Sequence, residues 1–193
     1  MPKPETVEKK PRADALRNRA LLVETAKRIF AEKGSATTLE EIAKAAEVGI
    51  GTLYRHFPTR EDMVDAVYQA ESEQIFQAAA DLSAKLPPLE ALRQWMLQFV
   101  DYMEVKRGMG EILKASSATP HKLKPAGTVT LQDVFDGLVR KATATGEIKV
   151  SGDPLDLLRA IGGVLNMNES PDRKSAAKQL VHVIVAGLKS AAR

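Results

Sequence analysis

The chain has 193 residues, 44% of them hydrophobic, and no cysteine, which allows one large domain or a small head with a larger body and excludes disulfides, thiolate metal sites and cysteine nucleophiles. Its net charge is only +3, but residues 1–60 hold 12 Lys and Arg against 8 Asp and Glu while the remainder holds 16 against 17, so the positive excess lies on the N-terminal segment. The longest apolar run, Leu180 to Leu188 with His182 inside it, falls well short of the ~20 residues of a membrane span; with a polar N-terminus lacking a signal segment, a cytoplasmic protein with no membrane partner is expected.

Met1 to Pro11 carries three prolines among charged residues and almost nothing to bury, the composition of a disordered arm over residues 1–11. From Arg12 to Lys33 apolar residues recur at helical spacing (Leu16, Ala20, Val23, Ala26, Phe30), and Gly34 is placed to end that helix in a left-handed conformation. Thr37-x-x-Glu40 and Thr38-x-x-Glu41 both have capping-box spacing at the start of a second helix, and spacing alone does not choose between them. Val48-Gly49 makes a tight turn, Ile50 to Phe57 forms a third short helix, and Pro58 stops it. Thr59 then caps a long helix over 59–85, with Glu61 and Asp62 in its first turn, where the helix dipole favours anions. Pro87-Pro88 marks the next boundary. Beyond it, helices are expected at Leu89 to about Lys106, at 107–115, around Leu131 to Val139, from Asp153-Pro154 to about Asn168, and from Pro171-Asp172 to the C-terminus, with 116–127 a loop. No convincing strand is present, so the fold class is all-α. It comprises a three-helix, helix-turn-helix head over 12–58, the linking helix, and a larger helical body over 86–193.

Two short helices joined by a tight turn are the geometry of a unit that lays its second helix in a DNA groove. Such a helix needs small residues where it nears the bases and hydroxyl or cationic groups where it passes phosphates. Gly49, Gly51, Thr52, Tyr54, Arg55 and His56 supply both within nine residues.

The pieces Thr38-Leu39-Glu40-Glu41-Ile42-Ala43, Val48-Gly49-Ile50-Gly51-Thr52-Leu53-Tyr54-Arg55-His56-Phe57 and Thr59-Arg60-Glu61-Asp62-Met63 resemble the DNA-binding domain of the TetR family of bacterial regulators. The resemblance covers roughly residues 12–70. Two departures stand out: Gly49 occupies a position where relatives often have a Ser or Thr cap, and Arg60 one where many have Lys. The resemblance implies that Thr37 and Thr38 meet phosphate at the start of the second helix. It implies that Thr52, Tyr54 and His56 contact the backbone around the major groove and Arg60 a flanking phosphate. Gly49, Ile50, Gly51 and Leu53 would then lie nearest the bases, although the spacing of Leu53 and Phe57 also suits core residues. The implied partners are double-stranded DNA bearing a pseudo-palindromic operator and a second copy of the chain. The implied function is a transcriptional regulator, a repressor released by a small molecule.

The same resemblance implies a body that dimerises and holds a ligand cavity. Trp95, Phe99, Tyr102, Met103, Met109 and Phe135 are the candidate lining for a small apolar ligand, though the same residues equally suit a packed core. The last two helices, with Asp156, Arg159, Gly162 and Gly163 on one and Leu180, Val183, Ile184 and Gly187 on the other, combine apolar stripes with glycines that permit close approach, as a two-fold four-helix interface requires. His121 and His182 have no partner at metal-ligand spacing, and no cofactor or metal is expected. No zinc-protease, nucleotide-loop or thiol motif is present, so no enzyme is expected. The competing readings are an all-α dimeric adaptor and a DNA-binding protein without an effector.

Overall fold

The computed structural model describes residues 10–110, 129–167 and 170–192, with side chains from Ala13 onward. Among these residues it contains eight α-helices, a 3₁₀ turn and no strand. The arm lies outside the described residues except for Lys10 and Pro11, which already belong to the first helix. The short helix expected over 107–115 is described only to Gly110, and the loop over 116–127 lies outside them. The chain divides into two compact units. One runs to Tyr68 and includes residues 108–110; the other holds 69–107 and the described residues from Val129 on.

In the first unit, α1 spans Lys10–Lys33, α2 Leu39–Ala45 and α3 Ile50–His56, and α4, Arg60–Lys85, begins there. The inward stripe of α1 is Leu22, Val23, Ala26, Ile29 and Phe30, whereas Leu16 is 70% exposed; the spacing that included Leu16 placed the stripe too far towards the N-terminus. Gly34 has φ +58 and opens the 3₁₀ turn Gly34–Ala36. Ile42, Leu53, Phe57, Met63 and Val67 close the core from the other helices.

The turn between α2 and α3 is built on Glu47, at φ +55. The Val48 N–H reaches the Ala43 carbonyl at 3.0 Å and the Glu47 N–H the Lys44 carbonyl at 3.2 Å, the paired bonds of a Schellman ending. Glycine is the usual occupant of that left-handed position, since a Cβ there is crowded by the following carbonyl. The turn therefore starts one residue earlier than Val48-Gly49, on a residue whose type gave no signal of it. Gly49 caps α3 through its backbone alone, its carbonyl accepting from Thr52 N–H at 2.8 Å. At α4, Thr59 and Asp62 cap reciprocally, Thr59 N–H to Asp62 Oδ2 at 3.0 Å and Asp62 N–H to Thr59 Oγ1 at 3.1 Å.

The second unit holds the rest of α4, α5 (Pro88–Gly108, to Arg107), α6 (Leu131–Ala144), α7 (Leu155–Met167) and α8 (Arg173–Ser190). Its centre is aromatic. Trp95 is fully buried, stacked at 5.8 Å on Phe99 and 5.6 Å on Phe135, and its indole N–H donates to the Ile75 carbonyl at 2.9 Å. Tyr102 continues the row at 6.1 Å from Phe99. Polar clamps join α5 to α8: Arg173 grips Glu104 through two nitrogens at 3.1 and 3.3 Å, and Lys174 and Lys178 converge on Asp101. No described helix is long and apolar enough to cross a membrane.

Candidate nucleic-acid interface

The proposed reading surface is α3 with the first turn of α2. Along α3 the apolar residue Leu53 and the following Phe57 point into the head, 0% and 1% exposed. That fixes the opposite face: Gly49, Ile50, Gly51, Tyr54 and Arg55 are exposed, with Thr52 and His56 half-buried at its margins. A Cβ added at Gly49 or Gly51 would meet nothing within 4 Å. The face is therefore smooth where a duplex would approach most closely. Leu53, which the resemblance set near the bases and its spacing placed in the core, is core.

Tyr54 is 43% exposed, and its hydroxyl donates to Glu40 Oε1 at 3.1 Å. This bond ties the middle of α3 to the first turn of α2. It raises the phenol's pKa above its usual value, while the Glu40 carboxyl is held below the carboxylate range, chiefly by its own backbone N–H and next by the Tyr54 hydroxyl. His56 leans on Phe57, ring centres 6.2 Å apart. Arg19 of α1 covers the same phenyl ring, its guanidinium 5.2 Å from the centroid, and so brings a cation to the edge of this surface.

The two threonines before α2 divide their work. Thr38 is the cap: its Oγ1 accepts from Glu41 N–H at 3.2 Å and its N–H donates to Glu41 Oε2 at 3.1 Å. Thr37 is 1% exposed, and its hydroxyl faces the Ile29 carbonyl at 3.4 Å. A side chain so buried has no route to phosphate, which corrects the expectation for Thr37. Glu41 is also held by Lys33 at 2.7 Å, and that bond, ahead of the Thr38 backbone, lowers its pKa.

Arg60 is half-buried and has a partner within the head. Its Nη2 donates to the Ser35 carbonyl at 2.7 Å and its guanidinium lies 5.9 Å over the Phe30 ring. One arm of the planar fork that distinguishes Arg from Lys ties the start of α4 to the 3₁₀ turn. Arg55, the cation that the motif supplies but to which the resemblance assigns no contact, is exposed on the outward face beside Tyr54.

Of the candidate ligand-lining residues, Trp95, Phe99, Tyr102 and Phe135 are brought together in the second unit, packed on one another. Met103 is half-buried and its Cε would lie 3.7 Å from a Cβ added at Gly162. Met109 is 1% exposed and belongs to the first unit. On the last two helices, Val183 is 58% and Met167 89% exposed. Gly163 and Gly187 have open space around them, whereas Gly162 is turned inward on Met103 and does not belong to the outer face. Arg159 is paired with Asp153 at 2.9 Å and Asp156 at 2.6 Å along the edge. No group of His, Asp and Glu able to hold a metal ion occurs among the described residues.

Comparison with known proteins follows the same division. Residues 22–67 match the family model described as bacterial regulatory proteins of the tetR family, and residues 87–190 match the C-terminal domain of SbtR-like transcriptional regulators. The crystal structure of the TetR transcriptional regulator SCO0520 from Streptomyces coelicolor is similar with a TM-score of 0.75 and 36% identity, covering 89% of this chain and 98% of that one. A TetR regulatory protein from Mycobacterium vanbaalenii gives a TM-score of 0.69 and 30% identity over 92% and 98% of the two chains. The HTH-type transcriptional regulator AcrR of Shigella flexneri is 31% identical over 96 residues, 48% of this chain and 45% of that protein, so less than half the length of that relative is matched.

Proposed function

The chain belongs to the TetR family of bacterial transcriptional regulators, and from that premise we propose that it acts as a homodimeric repressor on a pseudo-palindromic operator and is released by a small, largely apolar ligand. The observation that carries the DNA part is the outward face of α3: Gly49, Ile50, Gly51, Tyr54 and Arg55 exposed together, backed by the buried Leu53 and Phe57. The glycines let the helix backbone sit deep in the groove, and the hydroxyl and guanidinium reach the phosphates on either side. One such helix reads a half-site, too little surface for high specificity, so two copies are required, with recognition helices about 34–36 Å apart.

The dimer is proposed through the outer faces of α7 and α8, where Gly163, Met167, Val183 and Gly187 lie beside the exposed Arg159–Asp156 pair. Release would follow from linkage: a ligand that favours one arrangement of the two heads shifts DNA affinity only by its differential affinity for the two states. The helix α4, which starts in the first unit and ends in the second, is one covalent path for that coupling. The proposed contact is the aromatic row of Trp95, Phe99 and Phe135, opened by repacking.

The test is fluorescence anisotropy of the full chain with the duplex upstream of its own gene, titrated against salt. Phosphate neutralisation requires log K to fall linearly with log salt, together with a dimer by sedimentation. A strict monomer, or binding indifferent to salt, would leave the adaptor reading in its place. A thermal-shift screen for compounds that also discharge the duplex tests the effector.

A further inference from the structure

The Tyr54–Glu40 bond joins an acid to the one phenol hydroxyl on the reading face, and that pairing has a consequence for DNA binding. A phenol has a single O–H to donate. In the free protein it is given to Glu40 Oε1 at 3.1 Å. A phosphate oxygen at the same hydroxyl accepts and cannot donate, so one hydrogen cannot satisfy both anions. Among the described residues, moreover, no cation forms an ion pair with Glu40. Its neighbour Glu41 has Lys33 at 2.7 Å, whereas the groups that hold the Glu40 carboxyl are its own backbone N–H, Tyr54 and Thr38, none of them a cation. Glu40 is exposed, in the first turn of α2.

We propose that Glu40 is the residue that sets the DNA affinity of this head: it holds the Tyr54 hydroxyl away from phosphate and stands as an unpaired negative charge beside the phosphate that hydroxyl would meet. The inference rests on α3 being the DNA-reading helix. Because the repelled partner is phosphate and no base is involved, the effect is the same on every duplex: Glu40 lowers affinity for operator and non-operator DNA alike. A phosphate seated at the Tyr54 hydroxyl stands about 5–6 Å from the Glu40 carboxylate, and at solvent dielectric their repulsion is worth about threefold in affinity per head, or about tenfold for a dimer.

The experiment compares the wild-type chain, Glu40→Gln, Glu40→Ala, Tyr54→Phe and the two double variants. Each is titrated on the upstream duplex and on a scrambled duplex of equal length, at low and high salt, with thermal melts as a check on folding. Glu40→Gln removes the charge but keeps a carbonyl acceptor for the phenol; Glu40→Ala removes both. Glu40→Gln is expected to tighten binding to both duplexes by about tenfold at low salt, a gain that shrinks as salt rises, and Glu40→Ala to tighten it further. In the Tyr54→Phe background the two substitutions are expected to become equal, since no hydroxyl remains to be released. Unchanged or weaker binding by Glu40→Gln would overturn the proposal, weaker binding marking the carboxylate as a favourable contact to a base. Tightening confined to one duplex would overturn the phosphate argument. Salt-indifferent binding, or none, by the wild-type chain would instead bring down the DNA-binding reading and this inference with it.

Discussion

Gly108, the last residue of α5, lies against the backbone of α1, and replacing it with alanine tests that approach directly. A Cβ built there would lie 3.0 Å from the Phe30 carbonyl carbon, 3.4 Å from the Ala31 Cα and closer still to the Phe30 carbonyl oxygen. Carbon atoms settle at about 3.5–4.0 Å, so α1 and the end of α5 must separate by roughly half an ångström or more to admit one methyl. Both neighbours are backbone, within a helix whose Phe30 side chain is 0% exposed, and no rotamer change can absorb the clash. Overpacking of this kind costs about 1–3 kcal/mol. The gain from alanine over glycine near a helix end offsets it by at most about 1 kcal/mol. With backbone on every side the cost falls at the upper end of the overpacking range, and Gly108→Ala is expected to lower stability by about 2 kcal/mol in urea denaturation after the offset. Gly110→Ala, whose Cβ meets nothing within 4 Å, is the control and should be neutral or slightly stabilising. A Gly108→Ala protein as stable as the wild type would refute the close approach.

Glu47→Gly should raise stability, because the left-handed backbone at φ +55 costs an L-residue about 1–2 kcal/mol and glycine little; the gain in a thermal melt is tempered by glycine's greater freedom in the unfolded chain. Arg60→Met should lower the melting temperature while leaving the salt slope of DNA binding unchanged, whereas Arg55→Met should leave the melt unchanged and make that slope shallower by about one per head. The Glu90 carboxyl, held by Arg93 and then Gln94, is lowered to about 2. Its contribution is present above the unfolded value of 4.5 and is lost as pH falls through about 2. Glu90→Gln should thus lower stability at neutral pH, by no more than about 1 kcal/mol given the solvent screening of the pair. It should also flatten the acid limb of a stability–pH curve between those values.

The head was legible because its signals are local. Gly34 at a helix end, Thr59 three residues before Asp62, and Pro58 after a seven-residue helix each act through neighbours in sequence, and each reappears in the folded chain as the expected left-handed residue, cap or stop. Leu53 and Phe57 sit one helical turn apart, and that periodicity placed them in the core. The Thr37/Thr38 ambiguity is one that spacing cannot resolve, since both have a glutamate three residues on. It was settled by burial: Thr37 lies under α1 against Ile29, and only Thr38 keeps its oxygen free for the helix start.

The residues whose surroundings the sequence did not report have a common feature. Arg60, Thr37 and Gly162 were given outward roles, and each is held by a residue distant in sequence: Ser35 and Phe30, Ile29, and Met103. Which way a polar side chain turns depends on whether the fold offers it a nearer partner than the ligand, and no local pattern reports that. Arg55 is the converse case. Pointing away from Leu53 on a short helix, it is offered no carbonyl or ring of its own, and it is left exposed by geometry alone. On a helix of seven residues, burying two turns' worth of apolar anchor fixes the identity of every outward group. The DNA-facing set follows from Leu53 and Phe57 more firmly than from any property of the polar residues themselves.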